Sequence, residues 1–362
     1  MNTRQHPLFQ PYELGPLTLQ NRIALAPLTR SRAEGNVPNA LMAEYYGQRS
    51  SGGLLISEGT SPSPNGLGYP RIPGIFSPQQ IAGWQAVTQA IHAGGAKTFM
   101  QLMHTGRISH ANNLPEGARV MAPSAIAAAG EMYTDQAGPQ PHPVPETMTA
   151  EDIATAEAEF VHGAQNAIAA GFDGVELHGA NGYLLEQFLR PTSNQRTDQY
   201  GGSFADRARF MLEVAERVSA AIGRERVGIR LSPFGVFNDM PHYDGMAEEY
   251  VELATELGKI GLAYLHIVDH SAVGAPEVPE AVKQAMSEGF GGTIIRCGAY
   301  TAERAMADID AGKADLIAVG RDFLANPDLP RRWREGLALN TPDPQTFYTP
   351  GPKGYTDYPV AG

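Results

Sequence analysis

Cysteine is almost absent from this chain, since Cys297 is the single one among 362 residues. One cysteine excludes an internal disulfide framework and a cysteine-rich metal site, and it favours the reducing cytoplasm as the compartment. Basic residues are also in short supply, because 27 lysines and arginines stand against 39 aspartates and glutamates, for a formal net charge of -12. This balance argues against nucleic acid or an anionic membrane as a partner. An anionic ligand would need arginines placed close to it.

Long apolar runs are missing as well. No stretch of about 18 apolar residues occurs, and residues 1–7 lack the apolar core of a secretory signal, so we expect no membrane span. No Gly-x-Gly-x-x-Gly follows an apolar run that predicts a strand, which argues against a separate Rossmann-type nucleotide domain. The hydrophobic content of 42% is nevertheless enough for a full core.

Short apolar runs alternate with helical patterns along the whole chain. The apolar runs predict eight buried strands, at 22–27, 54–58, 97–103, 174–178, 227–231, 264–268, 293–297 and 316–319. Periodicity of the intervening residues predicts helices at 40–47, 78–93, 150–170, 204–222, 246–260, 276–288 and 302–311. Eight strands, each followed by a crossover helix, favour an α/β fold of the (β/α)8 TIM-barrel type over an open sheet.

Two further segments complete this plan. Residues 8–20 carry two short extended pieces around a Gly-Pro turn, which predicts an N-terminal β-hairpin below the barrel. Residues 104–149, after the third strand, are rich in proline and glycine and are too long for an ordinary loop. We interpret them as a lid or substrate wall, within a single domain that covers residues 1–362.

Residues just past the strand ends share one face of a barrel, where such folds keep their chemistry. Three polar side chains, His178, Asn181 and Tyr183, follow the fourth strand. Taken alone, His-x-x-Asn is also typical of a helix start with a satisfied histidine and an asparagine cap. The residues themselves leave both interpretations open.

The loops after strands seven and eight have the pattern of a phosphate site. Gly298 and Gly320 let backbone amides approach a ligand, helix starts follow both, and Arg321 adds a cation. A glycine at these positions is also consistent with a simple turn. Their paired placement favours phosphate, because these two loops form the usual phosphate site of barrels.

Arg230 lies inside the apolar fifth strand, and burying its charge alone would be costly. It therefore needs a partner. One possibility is a structural ion pair with Glu58 or Glu176. The other is a ligand that gains negative charge during a reaction.

Six segments, read together, resemble the Old Yellow Enzyme family. They are residues 22–30, 55–60, 101–107, 175–203, 320–327 and 354–359, which span nearly the whole chain in the family's order. Within the family they are most similar to the bacterial branch of N-ethylmaleimide, glycerol trinitrate and pentaerythritol tetranitrate reductases. Met103 departs from close relatives, which often carry tryptophan there, and a flexible thioether should widen the pocket. Thr29 replaces the cysteine of a different branch.

The resemblance implies a barrel that binds FMN non-covalently and reduces activated alkenes with NADPH or NADH, which visit one pocket in turn. The cofactor-binding residues that it implies are Ala26, Pro27, Leu28, Thr29, Gly59, Gln101, His178, Arg230, Cys297, Gly298, Ala299, Gly320 and Arg321. The substrate-binding residues are Thr29, Tyr69, Met103, His178, Asn181, Tyr183, Phe347 and Tyr355. His178 and Asn181 would donate hydrogen bonds to the substrate oxygen, and Tyr183 would deliver a proton to the α-carbon.

Three other functions were weighed. A metal-dependent hydrolase would typically carry His-x-His on an early strand, and a Schiff-base aldolase needs a lysine in the barrel mouth; the sequence predicts neither. A flavin storage or sensor protein would share every FMN residue but has no use for a proton donor above the ring. We expect small-molecule partners and a monomer or small homo-oligomer.

Overall fold

The computed structural model describes residues 5–362, and it contains a closed barrel of eight parallel strands. In chain order the strands are β1 (Tyr12–Leu14), β2 (Leu17–Leu19), β3 (Ile23–Leu25), β4 (Leu54–Ile56), β5 (Lys97–Leu102), β6 (Met121–Ala122), β7 (Glu131–Thr134), β8 (Gly138–Pro141), β9 (Glu146–Thr147), β10 (Gly174–Gly179), β11 (Val227–Leu231), β12 (Tyr264–Val268), β13 (Thr293–Cys297) and β14 (Leu316–Val319). The barrel runs β3-β4-β5-β10-β11-β12-β13-β14 and closes from β14 to β3. The predicted barrel and its eight strands are confirmed.

The helices surround the barrel, and most begin and end near the predicted residues. They are α1 (Ala40–Gln48), α2 (Pro78–Ala93), α3 (Ala150–Ala169), α4 (Leu184–Leu189), α5 (Phe204–Ile222), α6 (Met246–Ile260), α7 (Glu280–Phe290), α8 (Ala302–Asp310), α9 (Arg321–Ala325) and α10 (Leu329–Glu335). At the start of α3, Thr149 and Asp152 form a reciprocal capping box, which satisfies two free amides. No helix within residues 5–362 is both long and apolar enough to cross a membrane.

Helix α7 starts later than predicted. The pattern predicted a start at Pro276, but the helix begins at Glu280. Val278 precedes Pro279, and a residue before proline is driven away from helical backbone angles. Val278 is instead buried in the preceding loop, with its backbone N–H 3.3 Å from Asp269 Oδ2.

The predicted N-terminal hairpin is present as the antiparallel pair β1 and β2. Its Leu14 and Leu19 are fully buried and pack in one apolar cluster with Ala24, Leu54 and other side chains of the barrel interior. Burying these leucines closes the end of the barrel opposite the strands' carboxyl ends. The hairpin is therefore a plug that completes the core.

The long segment after β5 forms two small sheets of its own. β7 and β8 make an antiparallel hairpin, whereas β6 pairs in parallel with β9. Ile108 and Met132 of this segment join an apolar cluster that includes Met103 and Tyr183. The segment thus packs against two residues for which the sequence predicted a function.

Candidate active site

A cavity of about 510 Å³ opens at the carboxyl ends of the barrel strands. Its walls come from the ends of β3, β5 and β10 to β14, as expected of a barrel. The predicted site residues that line it are Ala26, Pro27, Leu28, Thr29, Gln101, Met103, His178, Asn181, Tyr183, Arg230, Cys297, Gly298, Ala299, Gly320, Arg321 and Phe347. The structure therefore brings most of the predicted residues together.

Two predicted residues, Gly59 and Tyr69, do not line the cavity but contact residues that do. A Cβ atom on Gly59 would come within 2.5 Å of Met103 Sδ, so this glycine makes room for the methionine that lines the cavity. Tyr69 contacts the cavity wall at Tyr183, whose hydroxyl lies 3.0 Å from its own. Both residues support the wall from outside.

The position of Tyr355 in the structure corrects the prediction that this residue forms a pocket wall. Its side chain is fully buried and stacks on Tyr45, with ring centroids 4.1 Å apart and planes 5° from parallel. The Arg32 guanidinium lies 4.7 Å from the Tyr355 ring centroid and donates to the carbonyl oxygens of Thr346 and Phe347. Tyr355 therefore anchors the C-terminal segment, and that segment brings Phe347 to the cavity.

His178 stands at the end of β10, opposite Arg230 of β11 in the parallel register. Burial lowers the pKa of the His178 imidazole well below its ordinary value, and the nearby Arg230 cation lowers it further. The imidazole is therefore neutral near pH 7 and has one N–H to donate. Its Nδ1 is buried and has no hydrogen-bond partner among residues 5–362. An unpartnered buried nitrogen at a cavity wall is a group that a ligand would satisfy.

Asn181 is held in an unusual backbone conformation, with φ at 60°. Its backbone N–H donates to Ser232 Oγ at 2.9 Å, and its carbonyl oxygen accepts from Asn238 Nδ2 at 2.7 Å. Its side-chain Oδ1 lies 2.7 Å from His270 Nε2. The interpretation of Asn181 as a helix cap fails, because α4 begins at Leu184 and Tyr183 takes the capping position.

Tyr183 places its ring edge-on to His178, with centroids 4.9 Å apart. Burial raises the pKa of the Tyr183 phenol above its ordinary value of about 10. The hydroxyl is therefore protonated at neutral pH and can act as an acid. His178, Asn181 and Tyr183 line one cavity, where the imidazole, the amide and the phenol come together.

Arg230 has no carboxylate partner within the described part of the chain. Its Nη2 lies 3.6 Å from Cys297 Sγ, and its buried Nε has no hydrogen-bond partner. Glu58 accepts from the backbone N–H of Arg30, and Glu176 is occupied by other barrel residues. The structural ion pair considered for Arg230 is thus absent, and its charge is available to a ligand.

Glu176 makes hydrogen-bond contacts with three other side chains of the barrel interior. Its carboxylate accepts from Gln101 Nε2 at 2.8 Å and from the Tyr264 hydroxyl at 3.1 Å, and it lies 2.8 Å from His266 Nδ1. Although burial raises the pKa of Glu176, the adjacent His266 outweighs burial and lowers it. These contacts fix the Gln101 amide, which lines the cavity.

The loops after β13 and β14 meet on the other side of the cavity. Gly298 has φ at 154°, and a Cβ atom there would lie 2.9 Å from the carbonyl oxygen of Asp269. Ala299 follows with φ at 48°, a left-handed conformation that turns its backbone toward the cavity loops. Glycine avoids this close approach at position 298. The Gly298 loop and the exposed Arg321 both line the cavity.

A family model described as the NADH:flavin oxidoreductase / NADH oxidase family matches residues 7–340 of the chain. The chain belongs to this family. The resemblance to Old Yellow Enzymes drawn from the sequence is confirmed, and the protein is a flavin-dependent oxidoreductase. The aldolase and hydrolase alternatives are set aside.

Individual relatives of this flavin oxidoreductase match along nearly their whole length. "12-oxophytodienoate reductase 7" of Oryza sativa subsp. japonica is 41% identical, over 99% of this chain and 96% of the relative. The "Probable flavin mononucleotide-dependent alkene reductase" of Leishmania infantum is 42% identical, with 97% of both chains covered.

Among solved structures, morphinone reductase superposes on this flavin oxidoreductase with a TM-score of 0.94 and 45% identity, over 100% of this chain and 98% of that one. A structure of morphinone reductase in complex with tetrahydroNAD gives a TM-score of 0.93 and 46% identity, with 98% of both chains covered. None of these comparisons tests the bacterial branch suggested by the sequence, which stays a prediction.

The cavity of this flavin oxidoreductase fits FMN by its own chemistry. Buried Arg230 and His178 each keep an unpartnered nitrogen at the wall. The Gly298 loop and Arg321 supply amides and a cation suited to a phosphate. An anionic, planar cofactor would satisfy these groups together.

Sequence reasoning missed part of the cavity wall. The missed lining residues include Phe237, His270, Val273 and Tyr348. They lie on loops after β11 and β12 and near the C-terminus, where neither strand position nor periodicity marks them. His270, a histidine two residues past the end of β12, is the one signal in the sequence that indicates this part of the wall.

Proposed function

We propose that this protein is an FMN-dependent NAD(P)H oxidoreductase that reduces the C=C bond of activated alkenes. Its substrates are α,β-unsaturated carbonyl compounds, maleimides or nitroalkenes. One observation carries the proposal: a proton donor, two hydrogen-bond donors and an unpartnered arginine converge on one cavity beside a phosphate-type loop. The alkene reductase and the 12-oxophytodienoate reductase among the relatives support the same reaction class.

When bound, FMN would supply the redox chemistry, hydride transfer from NADPH or NADH to the β-carbon of the alkene. Arg230 compensates negative charge beside the ring. Gly298, Ala299, Gly320 and Arg321 would hold the phosphate, while Ala26 to Thr29 and Gln101 would contact the ring. The family resemblance implies these roles, and all of these residues line the cavity.

His178 and Asn181 bind the oxygen of the substrate's carbonyl, imide or nitro group. Reduction at the β-carbon pushes charge onto that oxygen, so donors fixed beside it stabilise charge that exists only in the transition state. Each such donor is worth roughly 3 kcal/mol. Tyr183 then protonates the α-carbon, because its raised pKa keeps the phenol protonated and its ring is held against His178.

Residues 104–149 act as a cap over this site. Ile108 and Met132 pack in one cluster with Met103 and Tyr183, so the segment excludes water from the proton donor. NADPH or NADH and the alkene use the same cavity in succession, which gives ping-pong kinetics. The whole chain works as one domain in the cytoplasm, as a monomer or small homo-oligomer.

The experiment is spectroscopic. Purified protein should be yellow, should bleach with NADPH or NADH under anaerobic conditions, and should regain its colour when 2-cyclohexenone is added. Bleaching without recovery would support flavin storage or sensing instead. Colourless protein that cannot be reconstituted with FMN would refute the proposal.

A further inference from the structure

The side chains of His270 and Asn181 meet at the cavity wall. His270 Nε2 lies 2.7 Å from Asn181 Oδ1, and both residues line the cavity. A primary amide has an accepting oxygen and a donating NH2 group on opposite sides. Rotation of the amide by half a turn would exchange acceptor and donor at the cavity. A hydrogen-bond partner on Oδ1 therefore decides whether the amide oxygen or the NH2 group of Asn181 faces a ligand.

His270 faces the accepting oxygen of the Asn181 amide, so a hydrogen bond in this contact needs an N–H on the imidazole. Burial lowers the pKa of His270 to about 4, so the imidazole is neutral near pH 7 and has one N–H. Asn181 Oδ1 can only accept, so that N–H is on Nε2. The Asn181 NH2 group is left to face the ligand.

The loop that carries His270 is itself fixed. The preceding residue, Asp269, pairs with Lys283 Nζ at 2.7 Å and accepts from the backbone N–H of Ser271 at 2.9 Å. The His270 ring also stands edge-on to Phe237, with centroids 4.6 Å apart. These contacts hold the imidazole in place beside the Asn181 amide.

The backbone of Asn181 is held on both sides, by Ser232 and by Asn238. Its side-chain rotation is the freedom that remains. Within residues 5–362, His270 is the partner recorded for the Asn181 side chain. If this rotation is fixed, the group that the Asn181 amide presents to the cavity, NH2 or oxygen, is fixed too.

We propose that His270 is a positioning residue: it holds the Asn181 amide with its NH2 group toward the cavity, and the site thereby selects alkenes activated by an acceptor oxygen. The proposal rests on the proposed function, because it takes Asn181 to contact the substrate. His178, which is neutral, can add one N–H as a second donor to the activating group. Carbonyl, imide and nitro oxygens fit, whereas an activating group that must donate does not.

The two reactants should depend on His270 to different degrees. The oxygen of 2-cyclohexenone only accepts, so it needs the NH2 group of Asn181. The carboxamide of a nicotinamide both donates and accepts, so it can bind either orientation of the Asn181 amide. Loss of His270 should therefore impair the alkene step more than flavin reduction.

The test compares His270→Phe with His270→Gln in the FMN-loaded protein, by stopped-flow measurement of each half-reaction. Phenylalanine keeps the ring contact with Phe237 and removes the donor, whereas glutamine keeps a donating nitrogen at a similar reach. His270→Phe should weaken the apparent Kd for 2-cyclohexenone about tenfold, the usual scale for one neutral hydrogen bond. Its rate of flavin reduction by NADPH should change less than about threefold. His270→Gln should restore most of the enone affinity.

A double-mutant cycle with Asn181→Ala shows whether His270 acts through Asn181. In the Asn181→Ala background, His270→Phe should have no further effect on the enone Kd. A full additional loss in that background, equal damage to both half-reactions, or failure of glutamine to restore affinity would overturn the proposal. A wild-type protein whose reduced flavin is not reoxidised by enone would instead refute the proposed function.

Discussion

The hydroxyl groups of Tyr183 and Tyr69 lie 3.0 Å apart, and their rings meet edge-on with centroids at 6.2 Å. Tyr69 lies behind the cavity wall, so the proposed proton donor has a second phenol as its neighbour. That neighbour orients the Tyr183 hydroxyl and can return a proton to it. We therefore expect Tyr69 to support proton delivery by Tyr183.

Tyr69→Phe should therefore slow reoxidation of the reduced flavin by 2-cyclohexenone about three- to tenfold, as expected for loss of one orienting hydrogen bond. Flavin reduction by NADPH should not change. Tyr133→Phe is the matched control, because Tyr133 is 54% exposed on β7 and does not line the cavity. A control as slow as Tyr69→Phe would show that the effect is not specific to proton delivery.

The pH profile of the alkene half-reaction follows from two pKa shifts. Burial raises the pKa of Tyr183, so the phenol keeps its proton to a higher pH than a free tyrosine does. Burial, helped by Arg230, lowers the pKa of His178 well below its ordinary value, so no inflection is expected near pH 6.5. The single-turnover rate should be flat from about pH 6 to about pH 10 and decline only above that. A midpoint near pH 6.5 would contradict the neutral state of His178.

Cys297 reports whether FMN occupies the cavity. It is the single cysteine of the chain, and it lines the cavity beside Arg230. Although burial raises the pKa of the Cys297 thiol, contact with His266 and with Arg230 outweighs it and lowers the pKa. Iodoacetamide should add one label to FMN-stripped protein and little to the loaded protein, as measured by intact mass. Cys297→Ser removes the label, and equal labelling of both forms would place FMN elsewhere.

A buried ion pair supports the turn that carries Asn181. Glu186 and Arg190 are 1% and 0% exposed and pair at 2.8 Å. The same carboxylate accepts from the backbone N–H of Gly182 at 2.7 Å and from the Tyr250 hydroxyl. Arg190→Met should cost about 3–5 kcal/mol, because it leaves a buried carboxylate without its cation.

Guanidinium unfolding measures that cost. Arg209→Met is the control, since Arg209 pairs with Asp206 on the surface, where such a pair contributes less than about 1 kcal/mol. Adding Glu186→Gln to Arg190→Met should recover part of the loss. Similar losses for Arg190→Met and Arg209→Met would show that burial of the pair does not matter.

Much of the fold could be predicted from the sequence, because barrel strands are buried on both faces and read as continuous apolar runs. The runs at 227–231, 264–268, 293–297 and 316–319 match the observed strands. Helices α2, α5 and α6 also have the predicted bounds. Their apolar periodicity extends over several turns, and residues typical of helix ends flank them. The start of α9 after Gly320 was predicted, but the extents of the short helices α4 and α9 were not, and α10 was missed, because too few residues repeat for a period to be recognised.

In the candidate site, too, some residues could be predicted from the sequence and others could not. Residues on strand ends, such as His178 and Arg230, were predicted because their place in the barrel follows from their place in the strand. His270 and Phe237 were missed because long loops bring them to the cavity, and loop paths are set by distant contacts. Tyr355 was predicted to line the pocket but does not, and here too the cause is a distant contact. Its stacking on Tyr45 depends on two residues far apart in the sequence.

The central claim is that Tyr183 protonates the alkene while taking no part in flavin reduction. Stopped-flow measurement of both half-reactions in Tyr183→Phe tests it most directly. We predict that reoxidation by 2-cyclohexenone slows at least about 100-fold, the usual contribution of a general acid, while flavin reduction by NADPH stays within about threefold of wild type. Equal slowing of the two half-reactions would contradict the account.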